Sequence, residues 1–237
     1  MKFTLLPVVY ILSFTLSAKG QLAIIRDPDG FTNVRAGKST TTKIIGKFLD
    51  GDVFSYSYEK NDEWASVYYN PNESNDSGQL QGFIHKDRLL PMEQLKHIPE
   101  TRNCRTLRDG KLMIHNDSVT LQLTTAPFQA RQHVLRKDKD GYVSTIDGRK
   151  PVGSDGSMPR QKLTAFRMTI GGNTVDIPAA AWNDIYEPTL ETCNVFFDTR
   201  TGFMYIFIPS SSDGGGAYTI AWIFAKGRYV KRYVDGF

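Results

Sequence analysis

The sequence predicts a mainly β protein: a small N-terminal β-barrel followed by a second antiparallel β-rich domain with one short helix. Three observations carry this. Residues 23–90 hold short apolar runs separated by the turn tokens DPDG, AGKS and LDGD, the spacing of a barrel of short strands. The C-terminal runs CNVFFD, FMYIFIP, AYTIAWIF and RYVKRYV are rich in Phe, Tyr, Ile and Val, which suit a pleated surface. Only Pro178-Ala179-Ala180-Ala181-Trp182 has a helix start, with proline leading three alanines.

In chain order, residues 1–20 read as a secretory signal peptide. Lys2 is the early cation, an apolar run covers residues 3–16, and the small residues Ser17, Ala18 and Gly20 follow. Cleavage is expected near Gly20/Gln21, leaving an exported protein, periplasmic or extracellular. The alternative is a retained anchor, but the run is broken by Pro7 and is shorter than the roughly 20 residues a spanning helix needs. No later segment is long and apolar enough to span a bilayer.

Residues 21–91 form the expected barrel. Val34, Ile44, Val53, Trp64, Val67 and Ile84 are spaced to point into one core, and Gly37, Gly46 and Gly82 fall where backbone turns or approaches closely. Arg35 is expected at the barrel edge, paired with Asp29 or Asp87. The loop PNESNDSG (71–78) is a hairpin tip. Residues 92–102 are a polar linker flanked by prolines, and residues 103–237 form the second domain. Its strands are expected at 112–114, 119–123, 133–136 and 166–170, with a hairpin through Gly171-Gly172-Asn173. The helix then ends at Glu187-Pro188, and four antiparallel strands finish the chain as a meander. Runs such as residues 203–208 are apolar on both faces, so that sheet should be covered on both sides.

Four ordered blocks of the first half resemble the bacterial Src-homology-3-type (SH3-like) domain. They are Thr32-Asn33-Val34-Arg35-Ala36-Gly37-Lys38-Ser39, Ile44-Ile45-Gly46-Lys47, Glu63-Trp64-Ala65-Ser66-Val67 and Gly82-Phe83-Ile84-His85-Lys86-Asp87-Arg88-Leu89. Glu63 stands where the family has Gly before the tryptophan, and Phe83 where Tyr is common. The resemblance implies a cell-wall peptide or protein ligand, held on an aromatic surface for which Arg35, Tyr56, Tyr58, Trp64 and Tyr68 are the candidates. The ending SSSDGGGAYTIAWIFAKGRYVKRYVDGF resembles β-rich domains of uncharacterised exported bacterial proteins, a resemblance that implies no chemistry.

Charge narrows the partners. The formal charge of +4 falls to +2 once Lys2 and Lys19 leave with the leader. Neither half has the Lys/Arg stripe that phosphate neutralisation requires, so nucleic acid is not an expected partner. Lys226, Arg228, Lys231 and Arg232, interleaved with Tyr229 and Tyr233, read as the wet face of a final strand rather than an anionic-ligand patch. Cys104 and Cys193 are expected as a disulfide in an exported chain, with two separate buried thiols as the alternative. As a catalytic nucleophile Cys193 has no histidine after it, and Cys104 lacks small neighbours. The histidines His85, His97, His115 and His133 show no ligand spacing, so no metal or other cofactor is expected.

Asp155 and Asp213, each in a Ser-Asp-Gly loop, are the remaining polar candidates; a paired-carboxylate site would need them to converge. The expected function is a non-enzymatic exported bacterial protein that binds cell-wall peptidoglycan or an extracytoplasmic protein. One rival is a cell-wall or glycan hydrolase targeted by the barrel, with Asp155 or Asp213 in its site. Another is a periplasmic inhibitor or immunity protein.

Overall fold

The computed structural model describes residues 21–69, 80–98, 104–209 and 215–236. The leader, the tip at 71–78, Asp213 and part of the linker lie outside the described residues. Strand accounts for 54% and helix for 8%, with no helix as long as seven residues, so the chain is mainly β. No helix among the described residues is long and apolar enough to cross a membrane.

The first seven strands are β1 (Gln21–Ile25), β2 (Phe31–Arg35), β3 (Ile44–Leu49), β4 (Phe54–Ser57), β5 (Trp64–Tyr69), β6 (Leu80–His85) and β7 (Leu89–Pro91). They form one sheet in the order β3-β2-β6-β5-β4-β1-β7. The sheet does not close, which corrects the expected barrel. Its edges are β3 and β7, and β7 is too short, and ends in a proline without an N–H, to carry a ladder onto β3. Val34, Val67 and Ile84 lie in its core with Phe48, Phe54 and Ala65. Three expected core residues go elsewhere. Ile44 is half exposed on edge strand β3, Trp64 takes the outer face of β5, and Val53 faces the second half of the chain. Gly82 is required by close approach, since a Cβ there would sit 2.6 Å from Val34 and 2.7 Å from the Arg35 carbonyl.

The remaining strands build two five-stranded sheets and a hairpin. β8 (Lys96–Ile98) arises within the expected linker. β9 (Arg105–Arg108), β10 (Lys111–His115), β11 (Val119–Pro127), β14 (Gln161–Ile170) and β15 (Asn173–Thr174) make one sheet, ordered β15-β14-β11-β10-β9. β12 (Leu135–Lys137) and β13 (Val143–Ile146) pair alone. β16 (Asn194–Phe197), β17 (Phe203–Ile208), β18 (Tyr218–Ala225) and β19 (Arg228–Gly236) form the meander, with β8 added at its edge to give β19-β18-β17-β16-β8.

The meander is the middle layer, and the strand period of two explains its composition. Met204, Ile206, Ile208, Ile220, Trp222 and Phe224 face the sheet holding β11 and β14. The intervening Tyr205, Ala221 and Ile223 face Leu22, Ile24, Val53, Met92 and Leu95 of the first half. Both faces are therefore buried, and each large side chain so covered contributes about 1.5–3 kcal/mol. β1 does the same in miniature: Ala23 and Ile25 enter the N-terminal core, while Leu22 and Ile24 meet the meander.

The expected short helix is replaced by one 3-10 turn, Ala179–Ala181. Its continuation is claimed by neighbouring backbone. Ile185 bridges Val152, Tyr186 bridges Lys162, and the Tyr186 N–H donates to the Val152 carbonyl at 2.8 Å.

Candidate functional site

Two places gather polar and aromatic side chains that the cores do not absorb. The first is the outer face of β5 and β6. Ala65, Val67 and Ile84 point inward, so the register Trp64↔His85, Ser66↔Phe83 and Tyr68↔Gln81 sets these six side chains together on the opposite face. The Trp64 and His85 rings meet edge to face at 5.5 Å. Gln81 Nε2 donates to the Tyr68 hydroxyl at 2.8 Å. The Lys38 ammonium, paired with Asp62, sits 5.7 Å from the Phe83 ring centre.

The five sequence candidates do not converge. Trp64 and Tyr68 share this face. Tyr56 points into the N-terminal core, and burial pushes its hydroxyl up to about 12. Tyr58 is exposed and stacks on Tyr56 at 5.8 Å. Arg35 donates through Nη1 to the Thr42 carbonyl at 2.9 Å rather than to an acid, so it braces the loop between β2 and β3.

The second place is a cleft of about 430 Å³ beside the edge strand β19, walled by residues 148–154, Gly215, Gly216 and the end of β19. At its floor Arg232 grips Asp184 in a bidentate pair, 2.6 Å from Nη1 to Oδ1 and 2.8 Å from Nη2 to Oδ2. Both side chains are more than nine-tenths buried. Arg232 Nη1 also reaches the Ala181 carbonyl, which accepts from Trp222 Nε1 at 2.7 Å. Arg149 Nη1 adds contacts to the Asn183 side chain at 2.8 Å and to the Ala180 carbonyl at 3.1 Å. Of the tail cations, Lys231 and Arg232 are thus not a wet face. Lys231 pairs with Asp52 of the first half and Arg232 with Asp184.

The two Ser-Asp-Gly loops do meet here in their described parts, since a Cβ on Gly216 would lie 3.0 Å from the Asp155 nitrogen. Asp155 itself accepts from the Ser157 hydroxyl and N–H, which hold its carboxyl below the usual range. Such a group is a proton acceptor at neutral pH and a poor general acid.

Cys104 and Cys193 are not joined in the structure. Cys193 lies in the sandwich core, where burial pushes its thiol up to about 12. Arg105, next to Cys104, ties this end of β9 with hydrogen bonds to the carbonyls of Leu190, Glu191 and Cys193. Cys104 borders a second cavity, of about 620 Å³, at the end of the sandwich.

Sequence reasoning missed one further pair. His133 Nδ1 lies 2.6 Å from Asp147 Oδ2, under the Phe128 ring at 4.7 Å, and this contact depresses the Asp147 carboxyl. The hairpin of β12 and β13 joins residues too far apart for any local spacing rule. Only the Asp147-Gly148 turn token hinted at the position; Asp147 adopts φ +52° there. Among the described residues no three His, Cys, Asp or Glu side chains are placed to hold a metal ion.

The chain matches no protein-family model, and no curated protein or solved structure is significantly similar to it. Function is therefore read from these two places.

Proposed function

We propose that this chain is an exported, non-enzymatic bacterial binding protein whose first half is an SH3-like module with cell-wall peptidoglycan as its ligand. The observation that carries the reading is the outer face of β5 and β6. There Trp64, Tyr68, Phe83 and His85 stand half exposed and side by side on a rigid sheet, with the Lys38 ammonium over Phe83. Aromatic rings held in this way offer large contact area at small entropic cost, and the neighbouring Gln81 and Ser66 supply hydrogen bonds. The leader-like residues 1–20 support export with cleavage near Gly20/Gln21, and the four SH3-like sequence blocks support the module.

The test is co-sedimentation of the protein with purified peptidoglycan sacculi, wild type against Trp64→Ala/Tyr68→Ala. Both side chains lie outside the core, so the variant should keep its fold by circular dichroism. Binding by the wild type that drops at least tenfold in the variant is expected. Absence of binding, or equal binding by both, overturns the reading.

A further inference from the structure

We infer that the cleft beside β19 is a binding site for a small organic carboxylate, a site separate from the aromatic face of the first half. Three cationic side chains, Arg149, Lys150 and Arg232, line it among the described residues, against one acid, Asp184. Asp184 is already committed to Arg232 in both of its oxygens. Counted over the described residues that line it, the cleft therefore keeps two positive charges. Neither Asp155 nor Glu187 is among the residues lining the cleft; Asp155 is turned to Ser157, and Glu187 accepts the N–H groups of Arg160 and Gln161.

Geometry favours a carboxylate. Among the described residues, the polar contacts of the Arg149 side chain run through Nη1, to Asn183, Ala180 and Asp184, and none involves Nη2 or Nε. A guanidinium anchored at one corner presents a planar fork that matches a carboxylate's two oxygens. The floor below it is fixed by the buried Arg232–Asp184 pair, so the fork is mounted on rigid structure rather than on a loose loop.

The rest of the wall suits an organic body. Pro151, Val152, Ala217 and Val234 give it apolar surface, and Gly153, Gly215 and Gly216 expose backbone groups to a guest. Gly153 has no room for a side chain, since a Cβ would lie 2.2 Å from the Tyr186 carbonyl. Tyr218 lines the same cleft, and its buried hydroxyl has no hydrogen-bond partner among the described residues. A volume of about 430 Å³ exceeds what an inorganic ion needs and is within the range of small-molecule pockets.

The experiment titrates acetyl-alanyl-alanine, its C-terminal amide and inorganic phosphate separately into the ¹⁵N-labelled protein, followed by amide shifts. The acid should saturate, with shifts centred on Arg149, Gly153 and Gly216, and should bind at least tenfold more tightly than the amide. Arg149→Gln/Lys150→Gln should weaken the acid at least tenfold. Lys150→Glu, at an exposed position, gives the same direction should the double variant melt early. Lys226→Gln/Arg228→Gln, at the turn and the start of β19, should bind as wild type. Absence of saturable acid binding, equal affinity for acid and amide, shifts centred elsewhere, or full binding by the Arg149/Lys150 variants would each overturn the assignment. Tighter binding of phosphate than of the acid would also overturn it. Trp64→Ala/Tyr68→Ala leaves this site intact, so failure of the aromatic face and failure of the cleft are read separately.

Discussion

Arg232 and Lys231 are neighbours in β19 and face opposite ways, one into the pair with Asp184 and the other toward Asp52. Strand alternation alone sends them to different layers, which is why four cations in a row of twelve residues make no common patch. The Arg232–Asp184 pair is buried enough for its two members to be unequal to their sum. Removing one partner leaves the other charge uncompensated, which typically costs 3–5 kcal/mol. Arg232→Met and Asp184→Asn are each expected to destabilise the protein by about that much in urea unfolding, while Arg232→Met/Asp184→Asn should lose distinctly less than their sum. Additive losses would show that the pair is not coupled. The sequence separation of 48 explains why no sequence motif announced them.

At the scale of elements, most strands were legible because turn tokens and apolar runs are local. Facing was less so. The expectation that Trp64 and Val67 both point inward cannot hold on one regular strand, because residues three apart face opposite ways. The structure turns Val67 inward with Ala65 because Ile84 and Gly82 of β6 supply the inward face opposite Ala65 and Val67. A shift of one residue exchanges every side chain, so a single misjudged anchor moves Trp64 from core to surface. The 178–186 segment failed for a different reason, since its backbone groups had partners in distant strands. The β12–β13 hairpin rests on a comparable non-local tie. Asp147 accepts from His133 Nδ1 and from the Val134 N–H, at 2.6 and 2.9 Å, and Lys162 adds to the lowering of its carboxyl. A carboxyl depressed in the fold contributes its stability fully above its unfolded value, near 4, and loses it as pH falls through the lower folded value. Amide protection at Val134 and Asp147 should therefore not respond to this group between pH 7 and 5 and should fall below about pH 4. Half-exposed as it is, the contribution is no more than about 1 kcal/mol. Asp147→Asn should lower protection at neutral pH and remove the acid step; an unchanged step would assign it to another group.

For the whole molecule, the decisive feature is that the central strands of the meander, β17 and β18, are covered on both faces. Their outward residues Tyr205, Ala221 and Ile223 pack on Leu22, Ile24, Val53 and Met92, and polar ties rim that contact. Arg200 donates to the Asp27 and Ile25 carbonyls and to Asp50 at 2.7 Å, and Lys231 holds Asp52. The apolar doubling of residues 203–208 announced that something covers this sheet, yet nothing local could say that the first half does so. Two halves joined in this way should unfold together. Urea unfolding followed by tryptophan fluorescence reports Trp64 in the first half and Trp182 and Trp222 in the second, and far-ultraviolet circular dichroism reports all sheets. Coincident curves with one midpoint are expected. Gly51 is the sharpest handle on the contact, because it sits at φ +86° and a Cβ there would lie 2.5 Å from the Phe203 ring. Gly51→Ala must both strain the backbone and push the ring away, at a cost of about 2 kcal/mol or more. If the halves are one cooperative unit, that loss lowers the midpoint of both probes equally. Were the halves independent, the curves would separate and only part of the transition would move.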